Sequence, residues 1–453
     1  MTDSESEVSA ALKDMSIAQS AKGDDVLNKE GRSTLVQVAD SLMEAGSSVH
    51  HDTTGMVIGD QASSLIQRNL SILLDQETQC QREVATSILV EQNKSAWSQN
   101  SELLLSDDLE ALVDATEAWW TTGVHEIPQH LIEDVDENVR SLLPEGAEIV
   151  SIDPHGNSTW SRTAEIQADL DGVPVSYFIK VTDYRSGHIM YQSEYESLKA
   201  IHKALPGFAP KPIGWGTFES DPGVHFLLSE FIEMLDEPPD VTLLPPKLAE
   251  LHMKAVAPDG LSHSWEDFFV RYLRYQLRAE EIAQGPRTPE LERLLTVLFN
   301  RIIPRLLRPL ETGGRQIVPR LLHADLWDGN TAVGPGGEPI IFDPCSMYGH
   351  NEFDLGVWTN PRMVTGVPFI NSYHDTFAMS APEEDHQGRN TLYSLAFEAR
   401  ISATIVGNPL FRNELVRYLT DLDSQFPESY ETWALRRDEQ IYTPKVDNGL
   451  TWP

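Results

Sequence analysis

The chain has 453 residues, a formal net charge of −36 at pH 7 and a pI near 4.6. This acidity argues against nucleic acids and anionic membrane surfaces as partners, because both require a basic face. The length exceeds one ordinary domain, and the two cysteines, Cys80 and Cys345, are too few for a disulfide framework.

The N-terminal part of the chain carries no pattern of a catalytic unit. Residues 1–60 are rich in Ser, Asp, Gly and Ala, and we expect an acidic, mostly disordered segment. Apolar residues at helical spacing then predict a helical extension over residues 61–125, with helices at 61–91 and 106–120. Such helices pack on a neighbouring unit or bind an unidentified protein partner. The acidic terminus also argues against a targeting peptide, and with no apolar run of about eighteen residues we expect a cytoplasmic protein.

Residues 126–232 predict a small lobe rich in strands. The strand beginning at Ala147 leads into a turn that contains Gly156, Asn157 and Ser158, and residues 175–181 form a further strand that carries Lys180. The turn by itself is a weak signal, because one Gly and one Asn suit any hairpin. A lysine at the end of a strand is also commonly just solvated.

The helix that follows offers two acidic partners for Lys180. Tyr191, Leu198 and the other apolar residues of 191–205 define its buried face. Glu194 lies three residues after Tyr191 and four before Leu198, so it points toward that face, whereas Glu196 points away. Helical geometry therefore selects Glu194.

Residues 233–453 predict a large helical lobe. The predicted strand 224–232 ends with Glu230 and Phe231. Beyond this strand the apolar spacing is helical over 244–253, 265–277, 291–310, 392–404 and 411–422. A strand-rich lobe followed by a helical lobe is an α+β fold.

Three polar residues between 321 and 355 have the layout of a phosphotransfer site. Asp325 lies five positions before Asn330, and Asp343 follows a short apolar run. Transfer of a phosphoryl group from ATP to a hydroxyl needs a carboxylate to take the proton and oxygen ligands for Mg²⁺. Asp325 suits the first task, and Asn330 and Asp343 suit the second.

The same stretch resembles a known family. His323-Ala-Asp-Leu-Trp-Asp-Gly-Asn330, Ile341-Phe-Asp-Pro344 and Tyr348-Gly-His350 are similar to the signatures of the fructosamine kinase (protein-ribulosamine 3-kinase) family, over about residues 136–430. The resemblance implies a two-lobed protein-kinase-like fold, with an antiparallel strand-rich N-lobe and a helical C-lobe. It also implies ATP-dependent phosphorylation of the 3-hydroxyl of ketosamines, which leads to deglycation of small molecules or proteins.

The resemblance assigns roles to the candidate residues. Asp325 would be the base, Asn330 and Asp343 the Mg²⁺ ligands, and Lys180 with Glu194 the pair that holds the ATP phosphates. The remaining nucleotide-binding positions would be Gly156, Asn157 and Ser158 in the turn, and Glu230 and Phe231 at a hinge between the two lobes. Trp327 would form a wall of the sugar site, with core packing as the alternative. His350 and Asp354 would brace the metal and catalytic loops, with a substrate contact as the alternative for His350.

Two departures from the family pattern bear on function. Ala324 replaces the usual glycine, which matters only if the backbone there needs a positive φ. A short connector, residues 255–264, replaces a Gly- and aromatic-rich segment of the family. Because of this connector, a kinase that acts on an amino alcohol or an aminoglycoside-like metabolite remains an alternative. A catalytically silent scaffold is a third possibility.

Overall fold

A computed structural model describes residues 127–439, except for 157, 159, 236 and 258–263. The expected acidic segment 1–60 and the helical extension 61–125 lie outside the described residues, as does Asn157. Within the described part of the chain, no helix is long and apolar enough to cross a membrane.

An antiparallel sheet of five strands forms the first part of the fold. Its strands are β1 (Ala147–Pro154), β2 (Arg162–Leu170), β3 (Val173–Thr182), β4 (Pro212–Thr217) and β5 (His225–Glu230). They pair in the order β1-β2-β3-β5-β4. Ala164, Ile166 and Ala168 are buried at alternate positions of β2, as expected for a strand with one face toward a core.

Two helices accompany this sheet, α1 (Glu137–Arg140) and α2 (Gly187–Ala204). Helix α2 buries Tyr191, Leu198 and Ile201, which is the apolar face that the sequence predicts. The chain leaves the helix through Pro206 and Gly207, where the glycine has a φ of +79°. This left-handed conformation suits glycine because it has no Cβ atom.

The second part of the fold is mainly helical. Its helices are α3 (Leu244–Lys254), α4 (Trp265–Gln284), α5 (Pro289–Val297), α6 (Ile303–Leu307), α7 (Phe353–Gly356), α8 (Val367–Thr376), α9 (His386–Thr404), α10 (Pro409–Gln425) and α11 (Tyr430–Arg436). A π-helical turn, Leu298–Ile302, connects α5 to α6. Helices α4, α9 and α10 share a core that includes Phe269, Tyr393 and Leu419.

Two short ladders position the loops between these helices. Strand β6 (Arg320–Leu322) pairs with β9 (Met347–Gly349), and β7 (Thr331–Val333) pairs with β8 (Pro339–Ile341), both antiparallel. Asp325 follows β6, Asn330 precedes β7 and Asp343 follows β8, so all three lie where a ladder ends. The sheet, the helical part and these ladders confirm the predicted α+β, protein-kinase-like fold.

Candidate active site

A buried lysine joins the sheet to the helical part of the fold. Lys180 Nζ lies 2.6 Å from Glu194 Oε1 on α2 and 2.5 Å from Asp343 Oδ1. Burial lowers the pKa of Lys180, but attraction by the two carboxylates outweighs burial and holds the pKa above its usual value. Burial raises the pKa of Glu194 to about 7 despite the attraction of Lys180, and the charge of Asp343 acts in the same direction as burial.

The same helix shows why Glu194, and not Glu196, reaches the lysine. The side chains of Lys180 and Glu194 are only 11% and 13% exposed. Glu196 instead lies on the outer face of α2, where one of its carboxylate oxygens is 3.2 Å from Lys199 Nζ. The apolar face of the helix therefore identified the correct glutamate from sequence.

A buried histidine connects the loop of Asp325 to the loop of Asp343. His323 Nδ1 accepts a hydrogen bond of 3.2 Å from the backbone N–H of Asp325. Its Nε2 donates to the carbonyl oxygen of Phe342, at 2.9 Å. Burial lowers the pKa of His323, which favours the neutral ring that this pattern requires. The sequence motif includes His323, but sequence reasoning assigned it no role.

Asp354 is 2% exposed and holds the loop that carries Asp325 through hydrogen bonds. Its two oxygens accept hydrogen bonds of 2.8 Å from the backbone N–H groups of His323 and Ala324. His252 Nε2 lies 3.2 Å from one of these oxygens. These contacts are those of a bracing residue.

Ala324 adopts the conformation that makes its departure from glycine costly. Its φ is +63°, in the left-handed region. An L-residue with a Cβ atom is disfavoured there by roughly 1 to 2 kcal/mol. The two hydrogen bonds that Asp354 accepts from the backbone N–H groups of His323 and Ala324 hold the strained conformation in place.

Asn330 and Asp343 carry the oxygen atoms that suit a hard cation. Asn330 is 5% exposed, and its Nδ2 donates to the carbonyl oxygen of Asp325 at 2.8 Å, so the carboxamide oxygen is the atom that can act as a ligand. The backbone carbonyl of Asn330 accepts from the N–H of Phe342 at 3.1 Å, which ties Asn330 to the neighbour of Asp343. The side chain of Asp343 is 44% exposed, and its φ is +56°. A carboxylate and a carboxamide oxygen fit Mg²⁺.

The turn between β1 and β2 lies close to the end of β5. Gly156 in this turn has a φ of +77°, and Ser158 Oγ accepts from the N–H of Trp160 at 3.2 Å. The rings of His155 and Phe231 are 4.9 Å apart between centroids, so the turn contacts the predicted hinge.

Glu230, the other predicted hinge residue, uses its side chain locally. Its Oε2 accepts from the backbone N–H of Lys211 at 3.1 Å, and its own N–H donates to the carbonyl of Lys211 at 2.9 Å. These bonds fix the end of β5. A role of Glu230 in binding adenine would therefore fall to its backbone carbonyl.

The aromatic residue after the candidate base lies near the surface. Trp327 is 38% exposed, and its ring covers the backbone of Gly329, where a Cβ atom would lie 2.2 Å from the ring. Exposure to this extent argues against core packing, and the role of Trp327 as a wall of the sugar site stays a prediction.

His350 is placed differently. It is 2% exposed, with Nδ1 at 2.8 Å from the hydroxyl of Tyr393 and Nε2 at 2.8 Å from Ser380 Oγ. Both ring nitrogens are engaged within the protein. The placement therefore favours the bracing role of His350 over a contact with substrate.

One residue of the site was missed entirely. Arg400, near the end of α9, donates a hydrogen bond to Asp325 Oδ1 and forms an ion pair with it. The two residues line a narrow pocket together with side chains from three helices and the intervening loops, among them Tyr272, Phe353 and Phe397. No local pattern distinguishes Arg400 from a surface arginine, because its partner lies 75 positions away.

Lys180 on β3 and Glu194 on α2 form an ion pair that faces Asp343 in the loop after β8. This arrangement defines a phosphotransferase of the protein-kinase-like fold. A family model for fructosamine kinase matches residues 163–400. The chain belongs to the fructosamine kinase family.

The chain is also similar to individual proteins. The chain is 30% identical over 259 residues to the ketosamine-3-kinase of Mus musculus, covering 48% of this chain and 79% of the relative. It is 27% identical over 280 residues to the chloroplastic protein-ribulosamine 3-kinase of Arabidopsis thaliana, covering 56% and 78%. A solved structure of a Thermobifida fusca protein, assigned as a fructosamine-3-kinase, is 17% identical with a TM-score of 0.49, covering 64% of this chain and 99% of that one.

Proposed function

We propose that the protein transfers the γ-phosphoryl group of ATP to the 3-hydroxyl of ketosamines, which are sugars joined to an amine by glycation. The observation that carries the proposal is membership of the fructosamine kinase family together with the contact of Lys180 to both Glu194 and Asp343. A phosphate at this position is labile, so its loss would free the amine and lead to deglycation.

The roles of the residues follow from what each can do chemically. Asp325 takes the proton of the acceptor hydroxyl while the hydroxyl oxygen forms a bond to the γ-phosphorus. The bond from that phosphorus to the β–γ bridging oxygen breaks, and ADP leaves. Lys180 neutralises charge on the α and β phosphates, and Glu194 holds the lysine in place.

The metal assignment rests on the oxygen atoms of Asn330 and Asp343. Mg²⁺ held by these residues would neutralise charge on the β and γ phosphates. Asp343 Oδ1 accepts a hydrogen bond from Lys180, so Lys180 orients this carboxylate.

The nucleotide assignment rests on the turn that contacts Phe231. Gly156 and Ser158 would place backbone amides over the phosphates, and Asn157 belongs to the same turn. Phe231 and the backbone of Glu230 would border the adenine. Trp327, exposed beside the base, would form one wall of the sugar site.

The test is Mg²⁺-dependent release of ADP across a panel of ketosamines, free amines and unmodified sugars, with ³¹P and ¹³C NMR to locate the phosphate. Release with ketosamines and phosphate on oxygen 3 would support the proposal. Release only with amino alcohols or aminoglycoside-like acceptors would support the rival kinase. ATP binding without transfer to any acceptor would support a silent scaffold.

A further inference from the structure

Arg400 is the one cation in the described structure that contacts the proposed base directly. Within the described part of the chain, the hydrogen bond that its guanidinium donates goes to Asp325 Oδ1. The two side chains are 22% and 26% exposed, so the pair is partly shielded from water. A guanidinium has five N–H donors in a planar fork, so most of its donor capacity is available to a further oxygen atom.

The remaining N–H donors of Arg400 lie at the pocket that Arg400 and Asp325 line. The guanidinium carbon lies 5.3 Å from the centre of the Phe397 ring, which supports the group from one side. Tyr272 also lines the pocket, and burial raises the pKa of Tyr272 to about 12 while Arg400 acts in the opposite direction. The tyrosine hydroxyl is therefore neutral at physiological pH. The polar groups of the pocket are the Arg400 guanidinium, the carboxylates of Asp325 and Asp354 and the hydroxyls of Tyr272 and Tyr393, between aromatic walls.

The charges near the site decide which acceptor group suits Arg400. Arg400 and Asp325 already form a neutral pair, and the second carboxylate of the pocket, Asp354, is engaged by the backbone N–H groups of His323 and Ala324. A further anion would be repelled by the ATP phosphates and by Asp343. A protonated amine would meet the positive guanidinium and lose its own hydration. A neutral oxygen that accepts a hydrogen bond, such as a carbonyl, has neither disadvantage.

We propose that Arg400 determines acceptor specificity by donating to Asp325 with one part of its fork and to a carbonyl oxygen of the acceptor with another. A hydroxyl on the carbon next to that carbonyl would then lie against Asp325. The enzyme would select α-hydroxy ketones over acceptors that carry an ammonium group beside the hydroxyl. This inference rests on the proposed function, because the 3-hydroxyl of a ketosamine is adjacent to its carbonyl carbon.

The experiment compares a ketosamine with the same compound after borohydride reduction, which converts only the carbonyl to a hydroxyl. For the parent enzyme, kcat/KM should be higher for the ketosamine. Arg400→Gln should lower kcat/KM for the ketosamine about 10- to 150-fold, the range for a lost hydrogen bond to a charged group. The substitution should also bring the ratio of the kcat/KM values for the two acceptors close to one. The KM for ATP should change less than about two-fold.

Arg301 offers a matched control, because it pairs with Asp423 at similar exposures of 27% and 25%, away from the pocket. Arg301→Gln should leave the acceptor ratio unchanged. Arg400→Lys keeps the charge without the fork, so it should retain more activity than Arg400→Gln but lose most of the preference for the ketosamine. Melting curves for each variant check folding, and the lysine variant carries the test if the glutamine variant does not fold.

The outcomes separate this inference from the proposed function. A folded Arg400 variant that keeps the parental preference for the ketosamine would overturn the role of Arg400 and leave the proposed function standing. The same conclusion follows if the parent phosphorylates both acceptors equally well. A parent enzyme that is inactive on ketosamines would overturn both.

Discussion

The contact between Lys180 and Glu194 can be tested with a control on the same helix. Glu194→Gln removes a charge from a pair that is 11% and 13% exposed. Glu196→Gln makes the same chemical change two residues further along α2, in a pair with Lys199 whose side chains are 57% and 34% exposed. The substitutions have the same size, and at pH 8, above the pKa of about 7 that burial gives Glu194, they remove nearly the same charge, so a difference between them reports the environment of each glutamate.

The magnitude follows from what Lys180 contacts after the change. Its remaining carboxylate is Asp343, at 2.5 Å, so the lysine should move toward the proposed metal ligand and away from the phosphates. A hydrogen bond to a charged group contributes about 1.5 to 3 kcal/mol, which corresponds to a roughly 10- to 150-fold loss in kcat/KM for ATP. The exposed Glu196 pair contributes about 0 to 1 kcal/mol at most.

The assay is the initial rate of ADP release at varied ATP and saturating ketosamine, beside urea unfolding of each variant. We expect Glu194→Gln to lose activity toward ATP by the factor given above while remaining folded, and Glu196→Gln to match the parent. Equal effects of the two substitutions would refute the assignment of Glu194. So would parental ATP kinetics in a folded Glu194→Gln protein.

Three further predictions concern the proposed base Asp325, the strained Ala324 and the buried His350. Asp325→Asn should lower kcat by about 10² to 10⁴ while ATP affinity, measured by calorimetry, is retained; turnover within a few-fold of the parent would contradict the assignment. Ala324→Gly should raise the free energy of unfolding by up to about 1 kcal/mol, because it relieves a φ of +63°, although the greater freedom of glycine in the unfolded chain offsets part of the gain. Lower stability in urea would count against the strain. Burial lowers the pKa of His350 to about 4, below its unfolded value near 6.5, so the folded state binds its proton less readily. The contribution of neutral His350 to the free energy of unfolding should be fully present above about pH 6.5 and should fall by up to about 3 kcal/mol toward pH 4. His350→Gln should therefore flatten the dependence of the urea midpoint on pH between 7.5 and 5. An unchanged slope would show that His350 does not cause this dependence.

Sequence reasoning located the parts of the site that depend on neighbours within a few positions. The face of α2 selected Glu194 because helical spacing places residues three and four apart on one side. The short apolar run before Asp343 became β8, and the motif from His323 to Asn330 became the loop that joins β6 to β7. The roles assigned to these residues stay predictions until the variants are measured.

Element boundaries were less accurate where a pattern weakened. The helix expected over 265–277 continues to Gln284, and the helix expected over 291–310 is interrupted by the π-helical turn Leu298–Ile302. Helices α1, α7, α8 and α11 were not predicted. All four are short, and much of their stability comes from burying side chains against other parts of the fold, which is not visible in their own sequence.

The sequence by itself determined the family, the α+β fold and the order of the polar residues that face one another in the site. Each of these depends on the local spacing of residues and on short motifs. Only the tertiary structure decided that Ala324 needs a positive φ, that His350 is enclosed, and that Arg400 reaches Asp325. The physical reason is that such contacts depend on how α9 packs against the loops that carry the site. That packing is set by the whole core, and no short stretch of sequence records it.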